Sequence, residues 1–200
     1  MSVRTVERST SRQIAAVNGA CLVLGVGAAT LLRTAVGGAD PAASKPAAVV
    51  FAAALLALVN AAGWRARRGR APDVAVGAAG AVLLMGAWLA SGGHLALSAP
   101  QHAADLAAWS LVVTAVAVTE EVALRGALFT AVSRWHGATS ALLVTSMVFA
   151  LIHVPLYGWQ AVPLDCAVGL FLGGLRVLTG GVTAPAVAHA LTDLLAGWLG

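Results

Sequence analysis

Long apolar segments alternate with short polar segments along the whole chain, and the polar segments contain glycine pairs, prolines and clustered arginines. A helix needs about 20 mainly apolar residues to cross the ~30 Å hydrocarbon core of a bilayer. The pattern predicts seven such helices, at roughly 14–32, 46–64, 73–91, 106–134, 138–155, 162–178 and 181–199. Because the apolar residues are continuous and do not alternate with polar ones, they favour helices over membrane strands. The predicted fold is therefore an all-α, polytopic transmembrane helix bundle in a single membrane domain, residues 1–200.

The composition supports a membrane protein and excludes several soluble classes. Hydrophobic residues make up 60% of the chain and charged residues 10%, whereas soluble domains contain about 25% charged residues. So few polar side chains cannot cover the surface of a water-soluble domain. The same composition excludes a disordered chain and a typical nucleic-acid-binding protein, although the net charge is +4.

The basic residues predict the orientation of the bundle. With a cytoplasmic N-terminus, nine arginines lie on the inner side: Arg4, Arg8, Arg12, Arg65, Arg67, Arg68, Arg70, Arg134 and Arg176. Only Arg33 and Lys45 then lie on the outer side. This asymmetry agrees with the positive-inside rule. We therefore expect a multi-pass protein of the cell membrane, whose basic 65–70 segment contacts lipid headgroups rather than nucleic acid.

Ionisable side chains inside membrane helices are costly, and those that occur usually have a function. The first three predicted spans contain none near their middle, so residues 1–105 form an apolar part. The last four spans, within residues 106–200, carry a group of six: Glu120, Glu121, Arg125, His153, His189 and Asp193. Asp165, near the end of the sixth span, is interpreted as a helix cap or a solvated residue.

The spacing predicts which of these side chains share a helical face. Residues four apart lie on the same face of a helix and can interact. The three pairs with this spacing are Glu121 with Arg125, Phe149 with His153, and His189 with Asp193. Glu120 is turned about 100° from Glu121 and therefore points elsewhere.

The depth of the side chains predicts a carboxylate beside an imidazole. Glu120 precedes His136, in the turn between the fourth and fifth spans, by 16 residues, and His153 follows it by 17. At about 1.5 Å per residue, both lie ~24 Å from the turn. A helical hairpin then brings them to nearly equal depth, and His189 joins them if the last helix packs against the hairpin.

A carboxylate and imidazoles in a partly buried pocket are suited to the activation of water. Glu120 can act as a general base, while a histidine orients the water or protonates a leaving group. A second histidine, together with an acid, can stabilise an oxyanion. Such a site hydrolyses a peptide or ester bond.

Two other interpretations use the same residues. In a proton-coupled membrane transporter, Glu120, His153 and His189 would form a proton relay. In a non-catalytic membrane protein, such as an immunity or scaffold protein, these polar residues would only fix the packing of the helices.

Three segments resemble the motifs of one protein family, in the same order along the chain. Residues 120–125, EEVALR, resemble the E-E-x-x-x-R motif of the CPBP family, the Abi or CAAX protease and bacteriocin-processing family. Residues 149–153 resemble its F-x-x-x-H motif, and residues 189–193 its H-x-x-x-N or H-x-x-x-D motif. The resemblance covers roughly residues 106–195, whereas the preceding helices resemble the family only in being transmembrane.

The resemblance implies a glutamic-type intramembrane endopeptidase that acts on a membrane-anchored protein or peptide. It implies that Glu120 and His153 activate water and that His189 and Asp193 lie at the oxyanion side. It also implies supporting roles for the three remaining motif residues, namely Glu121, Arg125 and Phe149.

The resemblance leaves questions about metal and about Asp193. Glutamic-type members imply no cofactor, and the chain lacks an H-E-x-x-H helix. The alternative is a zinc enzyme in which Glu120, His153 and His189 are the three protein ligands. Eukaryotic relatives carry Asn at the position of Asp193. Because a carboxyl group donates a hydrogen bond only when protonated, Asp193 is either a protonated donor or a group that orients His189.

Overall fold

The computed structural model describes residues 3–90 and 103–199, and the residues in these two ranges form helices and short connections without any strand. The helices are α1 (Val3–Gly37), α2 (Lys45–Ala61), α3 (Ala71–Ala90), α4 (Ala103–Glu121), α5 (Phe129–His136), α6 (Ala138–Tyr157), α7 (Val162–Thr179) and α8 (Thr183–Leu199). A π-helical segment, Val122–Leu128, joins α4 to α5 without a break, and a 3₁₀ turn, Trp159–Ala161, precedes α7. The predicted all-α bundle is confirmed.

Five of the described helical stretches are long and apolar enough to cross a membrane. They are Gln13–Gly37, Ala71–Ala90, Asp105–His136, Ala138–Tyr157 and Trp159–Thr179. The other two predicted spans, α2 and α8, have 17 residues each, at the lower limit of about 17 residues for a spanning helix. The end of the third predicted span and the connection to α4, residues 91–102, lie outside the described residues.

Two glycine turns reverse the direction of the chain just before α6 and α8, the helices that carry the second and third motifs. Gly137, with φ of +88°, separates α5 from α6, and Gly180, with φ of +69°, ends α7. Both values lie in the region that glycine adopts without a steric penalty. The two sharp turns form hairpins, one between the α4–α5 rod and α6 and the other between α7 and α8.

Close backbone approach sets α8 against α3. A Cβ atom on Gly77 of α3 would lie 2.6 Å from the carbonyl oxygen of Ala184 and 2.7 Å from the Cβ of Val187. Only a glycine fits at this contact without displacing α8. The position of α8 matters because this helix carries the third motif.

The bundle is apolar both inside and outside. Leu22, Phe51 and Leu128 belong to a continuous buried cluster that α1, α2 and the π-helical segment share with α6, α7 and α8. Large apolar side chains such as Leu24 and Leu111 are exposed on the outer surface. Such an outer surface contacts acyl chains when the helices lie in a bilayer. The apolar exterior and the apolar helices agree with a membrane protein.

The π-helical segment is held from two sides. The Nε atom of Arg176, on α7, donates a hydrogen bond of 2.8 Å to the carbonyl oxygen of Arg125. The hydroxyl of Thr130 donates to the carbonyl oxygen of Gly126 at 2.6 Å and accepts from Trp64 Nε1 at 3.2 Å. Single π-helical turns inside α-helices often occur at functional sites, and this one follows directly after Glu120 and Glu121.

Candidate active site

An ion pair inside the bundle links the two ends of the first motif. Nη1 of Arg125 lies 2.9 Å from Oε1 of Glu121, and both side chains are fully buried. The guanidinium also donates through Nη2 to the carbonyl oxygen of Gly169, on α7, at 3.1 Å. Its Cζ atom lies 4.6 Å from the centre of the Phe149 ring. The carboxylate, the carbonyl and the ring together compensate a charge that would otherwise be very unfavourable inside the bundle.

The same carboxylate oxygen binds the third motif. Oε1 of Glu121 lies 3.0 Å from Nδ1 of His189, so α4 and α8 are joined at this point. The other ring nitrogen, Nε2, lies 3.4 Å from Oδ2 of Asp193 and 3.9 Å from Oε2 of Glu120. Three carboxylates therefore surround one imidazole, and the first and third motifs form one cluster.

Phe149 packs between the two histidines. Its ring centre lies 4.6 Å from that of His153 and 5.5 Å from that of His189. The Nδ1–H group of His153 donates to the carbonyl oxygen of Phe149 at 2.7 Å. A histidine placed in this way is anchored through Nδ1, so Nε2 is the nitrogen that stays available for chemistry.

Glu120 is buried but is not part of the ion pair. Its exposed fraction is 2%, and its nearest charged partner is His189, at 3.9 Å. Among the described residues, no ion pair within 4.0 Å joins Glu120 to His153. The two side chains line the same cavity instead. The cavity that they share is large enough to hold a water molecule.

A cavity of about 650 Å³ contains the polar cluster. Glu120, His153, His189 and Asp193 all line it, and it extends to Ser44 in the connection between α1 and α2. Pockets for small ligands usually measure about 300–1,000 Å³. The cavity therefore accommodates a short stretch of peptide but not a folded domain.

Two further cavity residues have roles that the sequence pattern did not predict. Arg33 is buried and lines the cavity. The sequence pattern indicated only that it is a charged residue near the end of a span. Asp165 also lines the cavity, and its buried Oδ2 atom has no hydrogen-bond partner among the residues that the structure describes. The interpretation of Asp165 as a helix cap is wrong, because its side chain forms no capping bond at the start of α7. Neither position has a sequence signal beyond an ionisable residue close to a span end.

The proposed zinc ligands do not form a metal site in this arrangement. No group of three or more His, Cys, Asp or Glu side chains among the described residues is arranged to hold a metal ion. Nδ1 of His189 binds Glu121, and Nδ1 of His153 binds a backbone carbonyl. The alternative of a zinc site formed by Glu120, His153 and His189 therefore does not fit the arrangement of the described side chains.

A comparison with protein families identifies the part of the chain that carries this cluster. Residues 102–195 match the family model described as type II CAAX prenyl endopeptidase Rce1-like. This match confirms the family resemblance inferred from the three motifs, and the family whose model matches consists of endopeptidases, which are hydrolases. No curated protein and no solved structure matches the chain significantly.

Proposed function

We propose that the protein is an intramembrane endopeptidase of the cell membrane that hydrolyses a peptide bond in a membrane-anchored protein or peptide. In this proposal Glu120 and His153 activate water, while His189 and Asp193 lie at the oxyanion side of the substrate. Glu121, Arg125 and Phe149 hold the catalytic groups in position.

In the first step a water molecule lies between Glu120 and His153, which line the same cavity. The water donates one hydrogen bond to Nε2 of His153, because Nδ1–H of that ring already donates to a carbonyl. Glu120 removes the other proton as the water oxygen forms a bond to the carbonyl carbon of the substrate. The product of this step is a tetrahedral oxyanion.

In the second step the oxyanion collapses. When His189 carries both ring protons, its Nδ1–H donates to Glu121 and its Nε2–H faces the cavity, where it can donate to the oxyanion. Asp193, beside Nε2, orients the ring from the cavity side. The bond between carbon and nitrogen then breaks, and Glu120 passes its proton to the leaving amine. Glu120 is again a carboxylate, and the reaction is balanced.

The observation that best supports this proposal is the contact of His189 with both neighbouring glutamates. One carboxylate, Glu121, binds Nδ1 at 3.0 Å, while the other, Glu120, lies 3.9 Å from Nε2 at the cavity wall. A carboxylate that binds one ring nitrogen of a catalytic imidazole orients the ring so that its other nitrogen can act on the substrate. Here Glu121 binds Nδ1, and Nε2 is at the cavity. Purely structural polar pairs do not require a second carboxylate that lines a cavity.

The test uses the purified protein in liposomes with a panel of membrane-anchored fluorescent peptides. Glu120→Gln and His153→Ala should each lower kcat by at least about 100-fold, since a general acid–base group contributes about 10²- to 10⁴-fold. Asp105→Asn serves as a matched control, because this carboxylate is on the same helical rod and its side chain is 72% exposed. Its activity should equal that of the unmodified protein.

Retained cleavage by both site variants would overturn the proposal. Proton-coupled flux across the liposomes without cleavage would instead favour a transporter. A chelator should leave the rate unchanged, and a loss that zinc restores would replace the proposed mechanism with a metal-dependent one.

A further inference from the structure

Arg33 is a buried cation without an ionic partner among the described residues. It lies near the end of α1 with an exposed fraction of 7%, and its Nε atom has no hydrogen-bond partner in the described part of the chain. The guanidinium lies 5.2 Å from the centre of the Phe51 ring, and no described carboxylate lies within 4.0 Å of it. A buried charge is unfavourable unless an anion compensates it. An anion that enters the cavity would compensate this charge.

The guanidinium belongs to the wall of the cavity that holds the catalytic cluster. Arg33 lines this cavity together with Glu120 and Tyr157. It lies outside the Rce1-like region, residues 102–195. The family similarity therefore does not account for its position.

The geometry of a guanidinium indicates which anion it binds. Its planar array of N–H groups matches the two oxygens of a carboxylate and forms strong, charge-assisted hydrogen bonds. We propose that Arg33 binds a carboxylate of the peptide substrate while Glu120 hydrolyses a peptide bond in the same cavity. This inference rests on the proposed function and extends it, because it makes a nearby carboxylate a requirement for the substrate.

The carboxylate has two sources in a peptide, namely its C-terminus and an acidic side chain. Both offer the same chemistry, so the experiment separates them with matched peptides. One pair has a free or an amidated C-terminus, and a second pair carries Glu or Gln near the cleavage site. Binding is measured with the Glu120→Gln protein, so that peptide affinity is obtained without hydrolysis. A failure of the proposed hydrolysis then stays distinguishable from a failure of the binding site.

Either amidation of the peptide C-terminus or the replacement of Glu by Gln should weaken peptide binding by about ten- to hundredfold. This is the factor expected for the loss of one charge-assisted hydrogen bond. In the double variant that also carries Arg33→Gln, both peptides of that pair should bind equally weakly. Arg33→Lys should recover part of the affinity, because it keeps the charge but loses the planar donor array. Arg134→Gln, which removes an exposed arginine on α5, should leave affinity unchanged.

A second measurement separates binding from folding. Arg33→Gln should unfold at the same temperature as the unmodified protein or higher, because it removes an uncompensated buried charge. The proposal is overturned if neither peptide change affects binding, or if Arg33→Gln weakens all peptides equally. It is also overturned if Arg33→Gln changes only how peptide binding depends on the anionic phospholipid content of the liposomes. That result would make a lipid phosphate the anion that Arg33 binds.

Discussion

The carboxylate of Glu121 holds the imidazole of His189 through a contact of 3.0 Å between Oε1 and Nδ1. The two residues are 68 positions apart in the chain, so this contact connects the first and third motifs across the bundle. The same oxygen binds Arg125 at 2.9 Å. One carboxylate thus compensates a buried arginine and orients a histidine at the same time. Among the described residues, no arginine forms an ion pair with the neighbouring carboxylate, Glu120, which lines the cavity.

The two adjacent glutamates should differ sharply in their effect on stability. Glu121→Gln leaves Arg125 buried without a counter-charge, which should lower the free energy of unfolding by about 3–5 kcal/mol. Glu120→Gln should leave this free energy nearly unchanged while abolishing cleavage. The free energy of unfolding of both variants is measured by denaturing the purified proteins in detergent micelles and monitoring the loss of helix by circular dichroism. Equal unfolding of the Glu121 variant and the unmodified protein would show that the ion pair is not a stabilising element.

Substitutions of His189 and Asp193, the two polar residues of the third motif, should lower kcat to different extents. His189→Ala removes the donor to the oxyanion and should lower kcat by about 10²- to 10³-fold. Asp193→Asn should lower it by less than about tenfold, because Glu121 already orients the ring and an amide still donates a hydrogen bond. The side chain of Asp193 is also 42% exposed, which weakens its interaction with the imidazole. Initial rates at saturating peptide measure both effects. A loss in the Asp193 variant as large as that of the histidine variant would contradict this ranking.

The contact between α3 and α8 should be as important for catalysis as for packing. Gly77→Ala places a Cβ atom 2.6 Å from the Ala184 carbonyl oxygen, so α8 and its histidine must move. We expect a loss of about 1–3 kcal/mol in stability together with a lower kcat.

Gly86→Ala is the matched control for this variant. Gly86 is on the same helix, and a Cβ atom there meets nothing within 4 Å. The control should keep full activity and gain up to about 1 kcal/mol from helix propensity. Thermal unfolding and peptide cleavage are measured for both. Full activity in the Gly77 variant would mean that α8 adjusts without moving the site.

The sequence predicted the helices well because their signal is local. Continuous apolar runs predicted helices at roughly 138–155 and 162–178, and the structure has Ala138–Tyr157 and Val162–Thr179. The pairing of Glu121 with Arg125 is also local, since it follows from a spacing of four residues.

The features that the sequence did not predict depend on the packing of distant helices. The contact of Glu121 with His189 requires that α4 and α8 meet, which no spacing within one helix indicates. The burial of Arg33 depends on the rotation of α1 relative to α2. The π-helical segment, Val122–Leu128, has the same apolar composition as its surroundings, so the pattern indicated only a continuous helix.

Arg125 is attached to α7 at two points. Its side chain donates to the carbonyl oxygen of Gly169, and its own carbonyl oxygen accepts from Arg176. Two attachments to one neighbouring helix fix the rotation of the α4 rod about its own axis. That angle decides which of two consecutive glutamates faces the ion pair and which faces the cavity. The different positions of Glu120, at the cavity, and Glu121, at the ion pair, are therefore determined by α7, a helix that contains neither residue.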